Sequence, residues 1–259
     1  MLFRSETVRR VVRQMIPGIM GVAAFQINVL LTQGIAFWRG PEIIASFNYA
    51  VRLMELPQGI FGISLATFLL PTLSGLAAEK KYPEFRATLG QGLGYLVFIN
   101  LLASVLLLTL AEPMMRLLFE RGRFDATSSA RAAAALAWLA PGLVAFSTVN
   151  ILARAFYALG DLQTPMRISV FCLALNVMLS AALIWPFKQA GLGAANTITS
   201  MINVGLLVYS LRRKLGRLDF IELRRHLPGL LGAMVAAGVV AWGVRAVWAG
   251  QVGYEGLLA

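Results

Sequence analysis

The sequence is poor in the residues on which disulfides, metal sites and most catalytic sites depend. Its 259 residues include a single Cys, Cys172, and a single His, His226. One thiol cannot form an intrachain disulfide, and neither residue has metal-ligating neighbours, so we expect no metal and no cofactor. The sequence contains no HExxH, CxxC, P-loop or GxGxxG motif and no usable Ser-His-Asp set. We therefore predict that the protein is not an enzyme.

Charged residues are also scarce. They make up 14% of the chain, against 58% hydrophobic residues and a mean hydropathy of +0.73. Such a chain cannot hide its apolar sequence in a water-soluble core, and several apolar runs approach the length that spans a bilayer. The net charge of +11 would indicate nucleic acid in a soluble protein, but here Lys and Arg cluster between apolar runs. We predict an all-α, polytopic helical membrane protein with no nucleic-acid partner.

The apolar runs predict about seven transmembrane helices. We place them at residues 14–37, 43–77, 88–111, 127–159, 165–185, 192–211 and 227–247. Residues 1–13 are then a basic cytoplasmic segment, 14–211 a lobe of six spans, 212–226 a basic cytoplasmic loop, and 227–259 a further helix and the start of another. The stretch 112–125 is too polar to span, and we expect it to lie at the interface with Glu112, Glu120 and Asp125 on a solvated face.

The distribution of positive charge predicts the orientation. With a cytoplasmic N-terminus, fifteen of the 23 Lys and Arg residues fall on the cytoplasmic side and seven on the other. Arg52 accounts for the remaining one. The bias favours a cytoplasmic N-terminus, although the cluster from Arg116 to Arg131 runs against it locally.

Arg52 is the most unusual residue of the apolar sequence. It follows Glu42 by ten residues, which at helical rise is about 15 Å, or roughly half the hydrocarbon thickness. Steps of three and four residues place it on one predicted stripe: Asn48, Arg52, Glu55, Gly59, Gly62 and Ala66. A charge in the membrane is costly, so we expect Arg52 to face a bundle interior or a water-filled cavity with Glu55 as its partner. The alternative is that this pair only holds helices together.

Other spans also carry polar residues at helical spacing. These sets are Ser147, Asn150 and Arg154; Ser169, Asn176 and Ser180; and Asn196, Thr199 and Asn203. We interpret the amides mainly as hydrogen-bonding partners between helices, with substrate contact as the alternative. From these residues alone, a structural or partner-binding membrane subunit remains the alternative to a transporter.

Four segments resemble one family of transporters. IPGIMGVAAFQINVLLTQ, SFNYAVRLMELPQGIFGISLATFLLPTLS, EPMMRLLFERGRFD and ARAFYALGDLQTPMRIS are similar to the MurJ/MviN lipid II flippases, which belong to the multidrug, oligosaccharidyl-lipid and polysaccharide exporter superfamily. The resemblance covers the later half of such a protein, from the seventh of fourteen helices to about the thirteenth. It implies the second lobe of a two-lobe flippase in the bacterial inner membrane, without the N-terminal lobe and the last helix.

The resemblance also implies a substrate and a mechanism. Two lobes would rock about a cationic cavity and move the undecaprenyl-diphosphate-linked peptidoglycan precursor between leaflets, with membrane lipid around them. Arg52 matches the cavity arginine of the second lobe and Glu55 its neighbouring acid, whereas Val51 is apolar where some relatives carry an acid. We add Asn48 and Arg154 as candidate substrate-binding residues. The alternatives are another exporter of lipid-linked oligosaccharides from this superfamily, or a membrane subunit that transports nothing.

Overall fold

The computed structural model describes residues 26–122, 124–216 and 232–244, together with residues 19, 23, 229 and 246. These residues form helices and short connections, with no strand among them, so the all-α prediction is confirmed. The helices are α1 (26–39), α2 (Pro41–Pro57), α3 (Ser64–Ala78), α4 (Tyr82–Thr109), α5 (Ala111–Phe119), α6 (Ala126–Leu139), α7 (Leu143–Ala158), α8 (Gln163–Leu215) and α9 (Gly232–Val244). The predicted segment 1–13, most of the loop 212–226, and His226 lie outside the described residues.

Four helical stretches of the described chain are long and apolar enough to cross a membrane. They are Pro41–Ala78, Tyr82–Thr109, Ala126–Ala158 and Gln163–Leu215. The last contains two of the predicted spans, because Lys188 has φ 52° and ψ −128° and breaks the helix between them. The two halves of α8 run back along each other, since Lys214 near its end forms an ion pair with Asp161, just before its start. The predicted first and seventh spans are described only as α1 and α9.

The predicted second span is one long helix with a widened turn. A π-helical segment, Gln58–Ile63, joins α2 to α3 directly after Pro57. Proline lacks the backbone N–H that an α-helix needs, so the hydrogen-bonding pattern is disturbed at this point. The helix continues through the disturbance by adopting i→i+5 hydrogen bonds for one turn. Pro57 therefore changes the rotation of the helix about its axis but does not end it.

The lobe has two apolar clusters, one toward each end of the bundle. One lies among α2, α5, α6 and the middle of α8 and includes Leu53, Met115 and Leu136. The other lies among α3, α4, α7 and the end of α8 and includes Phe85 and Phe156. The helices α4, α7 and α8 also bury polar side chains: Asn100, Ser104, Ser147, Thr148, Asn176, Ser180 and Thr199. The middle of the lobe is therefore unusually polar for a membrane bundle.

Polar contacts join the connections at one end of the lobe. The Arg86 Nη1 donates to the carbonyl oxygen of Leu215 at 3.0 Å, and the Asp161 carboxylate accepts hydrogen bonds from Lys214 and Thr164. Burial raises the pKa of Asp161, but the hydrogen bonds from Lys214 and Thr164 outweigh it and leave the pKa below its ordinary value. Among the predicted cytoplasmic connections, those around residues 160 and 214 therefore lie together. The first turns of α4 contact the same end of α8 through Arg86.

The connection at the opposite end contains an ion-pair cluster rather than a solvated face. Arg116 bonds Glu112 at 2.8 Å and lies 4.0 Å from Glu120, and the exposed fractions of the three side chains are 26%, 30% and 14% respectively. These exposures correct our expectation for Glu112 and Glu120. The cause is that α5 packs on α6, while Tyr49 of α2 contacts Phe119 and Phe124 with ring centroids 4.8 and 4.6 Å apart. Asp125, in contrast, is exposed and caps α6 by accepting a hydrogen bond from the Ser128 N–H.

Candidate functional site

Arg52 lies on the open face of α2. Its Nη1 is 3.7 Å from Glu55 Oε2, and the side chains of Arg52 and Glu55 are 78% and 53% exposed. The pairing that the sequence predicted is therefore present. Arg52 is not inside this bundle, however, because α6 and α8 pack on the other side of α2, where Leu53 and Met54 are buried. Its charge is directed away from the lobe.

The predicted stripe turns from the open face into the lobe. Arg52 and Glu55 are exposed, whereas Gly62 and Ala66 are buried. A Cβ added at Gly62 would lie 2.7 Å from Ser147 Oγ, so this glycine is needed for the close approach of α7. The physical reason is the π-helical turn between Glu55 and Gly62. Each residue of a wider turn rotates less about the axis, which shifts the register that a regular α-helix would keep.

A cavity of about 380 Å³ opens beside the pair. Asn48 and Glu55 line it, whereas Arg52 does not. Its other polar lining residues are Asn28, Thr32, Gln33, Gln58 and Asn196. The cavity therefore offers neutral amides and one carboxylate, next to a guanidinium on the adjoining surface.

A second cavity of about 210 Å³ shares Asn28, Gln58, Phe146 and Asn196 with the first. Its lining is rich in amides and hydroxyls: Asn150, Ser169, Asn176, Thr199, Ser200 and Asn203. Asn28 Oδ1, Thr199 Oγ1 and Asn203 Oδ1 are buried and have no hydrogen-bonding partner among the described residues. The two polar cavities thus adjoin each other, with Gln58 among the residues at their junction.

The amides behave in two different ways. Asn100 and Asn176 bridge helices, since Asn100 Oδ1 accepts from Ser147 at 3.1 Å and Asn176 Oδ1 contacts Thr32 Oγ1 at 3.5 Å. Asn150 and Asn196 instead donate to carbonyl oxygens of their own helices, and both line the second cavity together with Asn176. The interhelical interpretation thus holds for Asn176 but not for Asn196. Gln58 was missed, although its position three residues after Glu55 was a usable signal.

Arg154 lies apart from the other three candidate residues. Its Nη2 donates to Thr67 Oγ1 on α3 at 3.1 Å. Thr67 follows Arg52 by fifteen residues on the same continuous helix, which corresponds to about 22 Å. The structure brings Asn48, Arg52 and Glu55 together on α2 and places Arg154 near the end that carries Asp161.

No group of three or more His, Cys, Asp or Glu side chains in the described ranges could hold a metal ion. Cys172 is buried and borders the second cavity. The polar side chains that line the two polar cavities can bind a ligand by charge and hydrogen bonds.

Comparison with known proteins identifies relatives along the whole chain. A family model described as "Lipid II flippase MurJ" matches residues 1–258. A probable lipid II flippase MurJ of Vibrio cholerae is 33% identical over 229 residues, which are 88% of this chain and 43% of that protein. The lipid II flippase MurJ of Burkholderia cenocepacia is 31% identical over 250 residues, 96% of this chain and 48% of that protein. The chain thus spans about half the length of these curated relatives.

A solved structure has the same fold. It is described as a lipid II flippase MurJ in an inward closed conformation, and it matches with a TM-score of 0.72 at 20% identity. The match covers 96% of this chain and 57% of the other. The agreement over nearly all of this chain supports the arrangement of helices described above.

Proposed function

Because this chain belongs to the MurJ family of lipid II flippases, we propose that it is the second lobe of a flippase for the undecaprenyl-diphosphate-linked peptidoglycan precursor. The family consists of transporters rather than enzymes, and its members are multi-pass proteins of the bacterial inner membrane. The observation that carries the proposal is the family match over residues 1–258, joined to an unburied Arg52 in the middle of an apolar helix.

The chemistry of the proposed substrate fits this face of α2. A diphosphate that crosses a region of low dielectric constant needs positive charge, and a guanidinium binds phosphate oxygens through two parallel hydrogen bonds. In this proposal Arg52 binds phosphate and Glu55 holds its side chain in place. Asn48 extends the surface into the adjacent cavity, where amides can bond neutral polar groups of the headgroup.

Arg154 has a different place in the proposal. Its hydrogen bond to Thr67 lies far along the helix from Arg52, so the two arginines cannot bind one phosphate group together. We propose that Arg154 meets the headgroup at the cytoplasmic entrance, before the headgroup reaches Arg52. The orientation with a cytoplasmic N-terminus is part of this proposal, and it is supported by the basic residues near Asp161.

Alternating access explains why a second lobe is needed. In this scheme one repeat moves against a partner repeat around a shared site. The exposed position of Arg52 supports a site that is completed by another lobe across the open face. One lobe alone provides only one wall and should not move substrate.

Co-expression tests the proposal directly. The chain alone should fail to rescue a cell depleted of its own flippase, whereas the chain with a matching first lobe should rescue it. Rescue by the chain alone would contradict the two-lobe scheme. Failure of both combinations, with both proteins present in the membrane, would favour a different exporter of the superfamily or a membrane subunit that transports nothing.

A further inference from the structure

An apolar groove of about 470 Å³ runs between α1 and the first half of α8. Leu30, Leu31, Gly34, Ile35, Ala181 and Ile184 line most of it. Trp38, Arg39 and Trp185 lie at one end. The groove does not share a lining residue with either polar cavity, so it is separate from the proposed substrate path.

The charged end of the groove carries a cation, Arg39. The guanidinium of Arg39 lies over the Trp185 ring, 4.7 Å from its centroid. Within the described residues, Arg39 forms no ion pair with a carboxylate. A guanidinium placed over an indole face can keep N–H groups available, and these are the groups that bind phosphate oxygens.

The length of the groove matches one leaflet of a bilayer. From Leu30 to Arg39 is nine residues of α1, or about 14 Å, close to half of the roughly 30 Å hydrocarbon thickness. The Trp38 and Trp185 side chains are 93% and 67% exposed. Tryptophan is enriched at the headgroup level of membranes, so this end of the groove belongs at the interface and the Leu30 end in the hydrocarbon.

The floor of the groove is open because of Gly34. A Cβ built at Gly34 would meet no heavy atom within 4 Å. The glycine is therefore not required by close packing of the protein against itself. Its effect is to keep a channel along α1 that a larger side chain would fill.

We propose that this groove binds one anionic membrane phospholipid, with the phosphate on Arg39 and an acyl chain along Gly34 and Ala181. The cation at the interface, the apolar channel of one leaflet's depth and the lack of an ion pair for Arg39 among the described residues all match this ligand. A helix of another lobe would match the apolar channel but would leave the Arg39 charge unexplained.

Native mass spectrometry of the purified chain in mixed micelles tests the proposal. The probes are phosphatidylglycerol and, as a ligand without net charge, phosphatidylcholine. We expect the wild type to retain one phosphatidylglycerol with about tenfold preference, because both lipids carry a phosphate but the choline ammonium of phosphatidylcholine offsets its charge near Arg39. Arg39→Gln should lose the preference, and Gly34→Leu should lose retention of both lipids.

Two further variants control for folding. Gly205→Leu adds the same side chain at another open helical position, outside the groove, and should retain lipid like the wild type. Ala181→Leu fills the groove from the α8 side and should also lose retention of both lipids. It therefore takes the place of Gly34→Leu in the test if Gly34→Leu is poorly folded. Circular dichroism and size-exclusion chromatography identify misfolded variants.

Three results would overturn the proposal. The first is unchanged phosphatidylglycerol retention in both groove-filling variants. The second is stronger retention of undecaprenyl phosphate than of phosphatidylglycerol at the same concentration, which would assign the groove to the carrier lipid. The third is release of phosphatidylglycerol when a matching first lobe is added, which would assign the groove to contact between lobes. None of these measurements requires transport, so the proposal can fail while the proposed function stands.

Discussion

Arg52 carries its charge on the exposed side of α2, and this position separates two roles that the sequence left open. A pair that only holds helices together should be buried between them. The observed pair is 78% and 53% exposed and its charged atoms are 3.7 Å apart. Exposed pairs of this kind contribute about 0 to 1 kcal/mol to stability, so stability of the lobe is a weak reason for Arg52 to be present.

Substitution of Arg52 should therefore affect transport far more than folding. In a two-lobe assembly we expect Arg52→Ala to abolish flipping while the protein level and melting temperature stay close to wild type. Arg52→Lys should recover only part of the activity, because an ammonium lacks the paired N–H groups of a guanidinium. Flipping is measured by rescue of a flippase-depleted cell, and Arg131→Ala is a matched control at another exposed helical arginine.

The double variant Arg52→Leu with Glu55→Leu distinguishes the two roles further. If Arg52 binds substrate, the double variant should be stable and inactive. If the pair is structural, single substitutions should lower the melting temperature, and the double variant should restore both stability and flipping. An active double variant would end the case for Arg52 as a substrate residue.

Single residues were predictable where their chemistry conflicts with the membrane, and less so elsewhere. Arg52 and Glu55 stood out because charges are rare in apolar helices. The roles of Asn176 and Asn196 could not be separated, since both are amides on α8 that line the same cavity, and only the position of α1 decides that Asn176 also bonds across helices. Gln58 was missed because the predicted stripe was continued by a step of four residues, from Glu55 to Gly59, which passes over it.

The helices themselves were largely predictable from local sequence. Pro141 and Gly142 interrupt the predicted fourth span and form a 3-10 turn between α6 and α7. Gly160 has φ 73° and precedes the capping Asp161, as the turn before Pro165 predicted. The break at Lys188 fits the gap between the predicted fifth and sixth spans. The ends of the helices were therefore predictable from the length of the apolar runs and from glycine and proline. Glycine and proline mark ends because they set the backbone conformation at their own positions.

Packing between helices was not predictable, and two glycines of α8 show why. Gly193 and Gly205 lie in the second half of the helix with similar apolar neighbours in sequence. A Cβ at Gly193 would lie 2.8 Å from the carbonyl oxygen of Ala135 on α6, whereas a Cβ at Gly205 would meet nothing within 4 Å. Only the position of α6 distinguishes the two glycines.

The same change at these two glycines should have opposite effects. Gly205→Ala should stabilise the lobe by about 0.5 to 1 kcal/mol, the usual gain of alanine over glycine in a helix. Gly193→Ala should destabilise it by about 1 to 3 kcal/mol, because the backbone of α6 must move. Melting temperatures of the purified variants check both directions. A rise at Gly193 as large as that at Gly205 would mean that α6 and α8 are not in close contact.

On the scale of the whole molecule, the connections divide between the two ends of the lobe. Arg39 contacts Trp185 at one end, while Arg86 contacts Leu215 and Lys214 contacts Asp161 at the other. The alternation agrees with the order of spans predicted from the apolar runs. The contacts within the lobe do not determine which end faces the cytoplasm. That prediction rests on the larger number of Lys and Arg residues on one side of the spans.

Labelling with an impermeant thiol reagent tests the orientation. In a Cys172→Ser background, Arg39→Cys and Phe187→Cys should react from outside intact spheroplasts, because we place them on the outer side. Lys81→Cys and Arg213→Cys should react only after the membrane is opened. All four side chains are exposed in the structure, so burial does not explain a difference. The reverse pattern would invert the lobe and contradict the proposed direction of transport.

The length of the helix that carries Arg52 has a consequence for how the chain enters the bilayer during synthesis. Pro41–Ala78 has 38 residues, or about 57 Å at helical rise, nearly twice the hydrocarbon thickness. The insertion machinery can therefore select the stretch after Leu56 for the lipid and leave Arg52 near the headgroups, where a charge costs much less than the roughly 2.5 to 3.5 kcal/mol at the centre. During synthesis the lobe can thus accommodate the charge of Arg52 before another lobe is present.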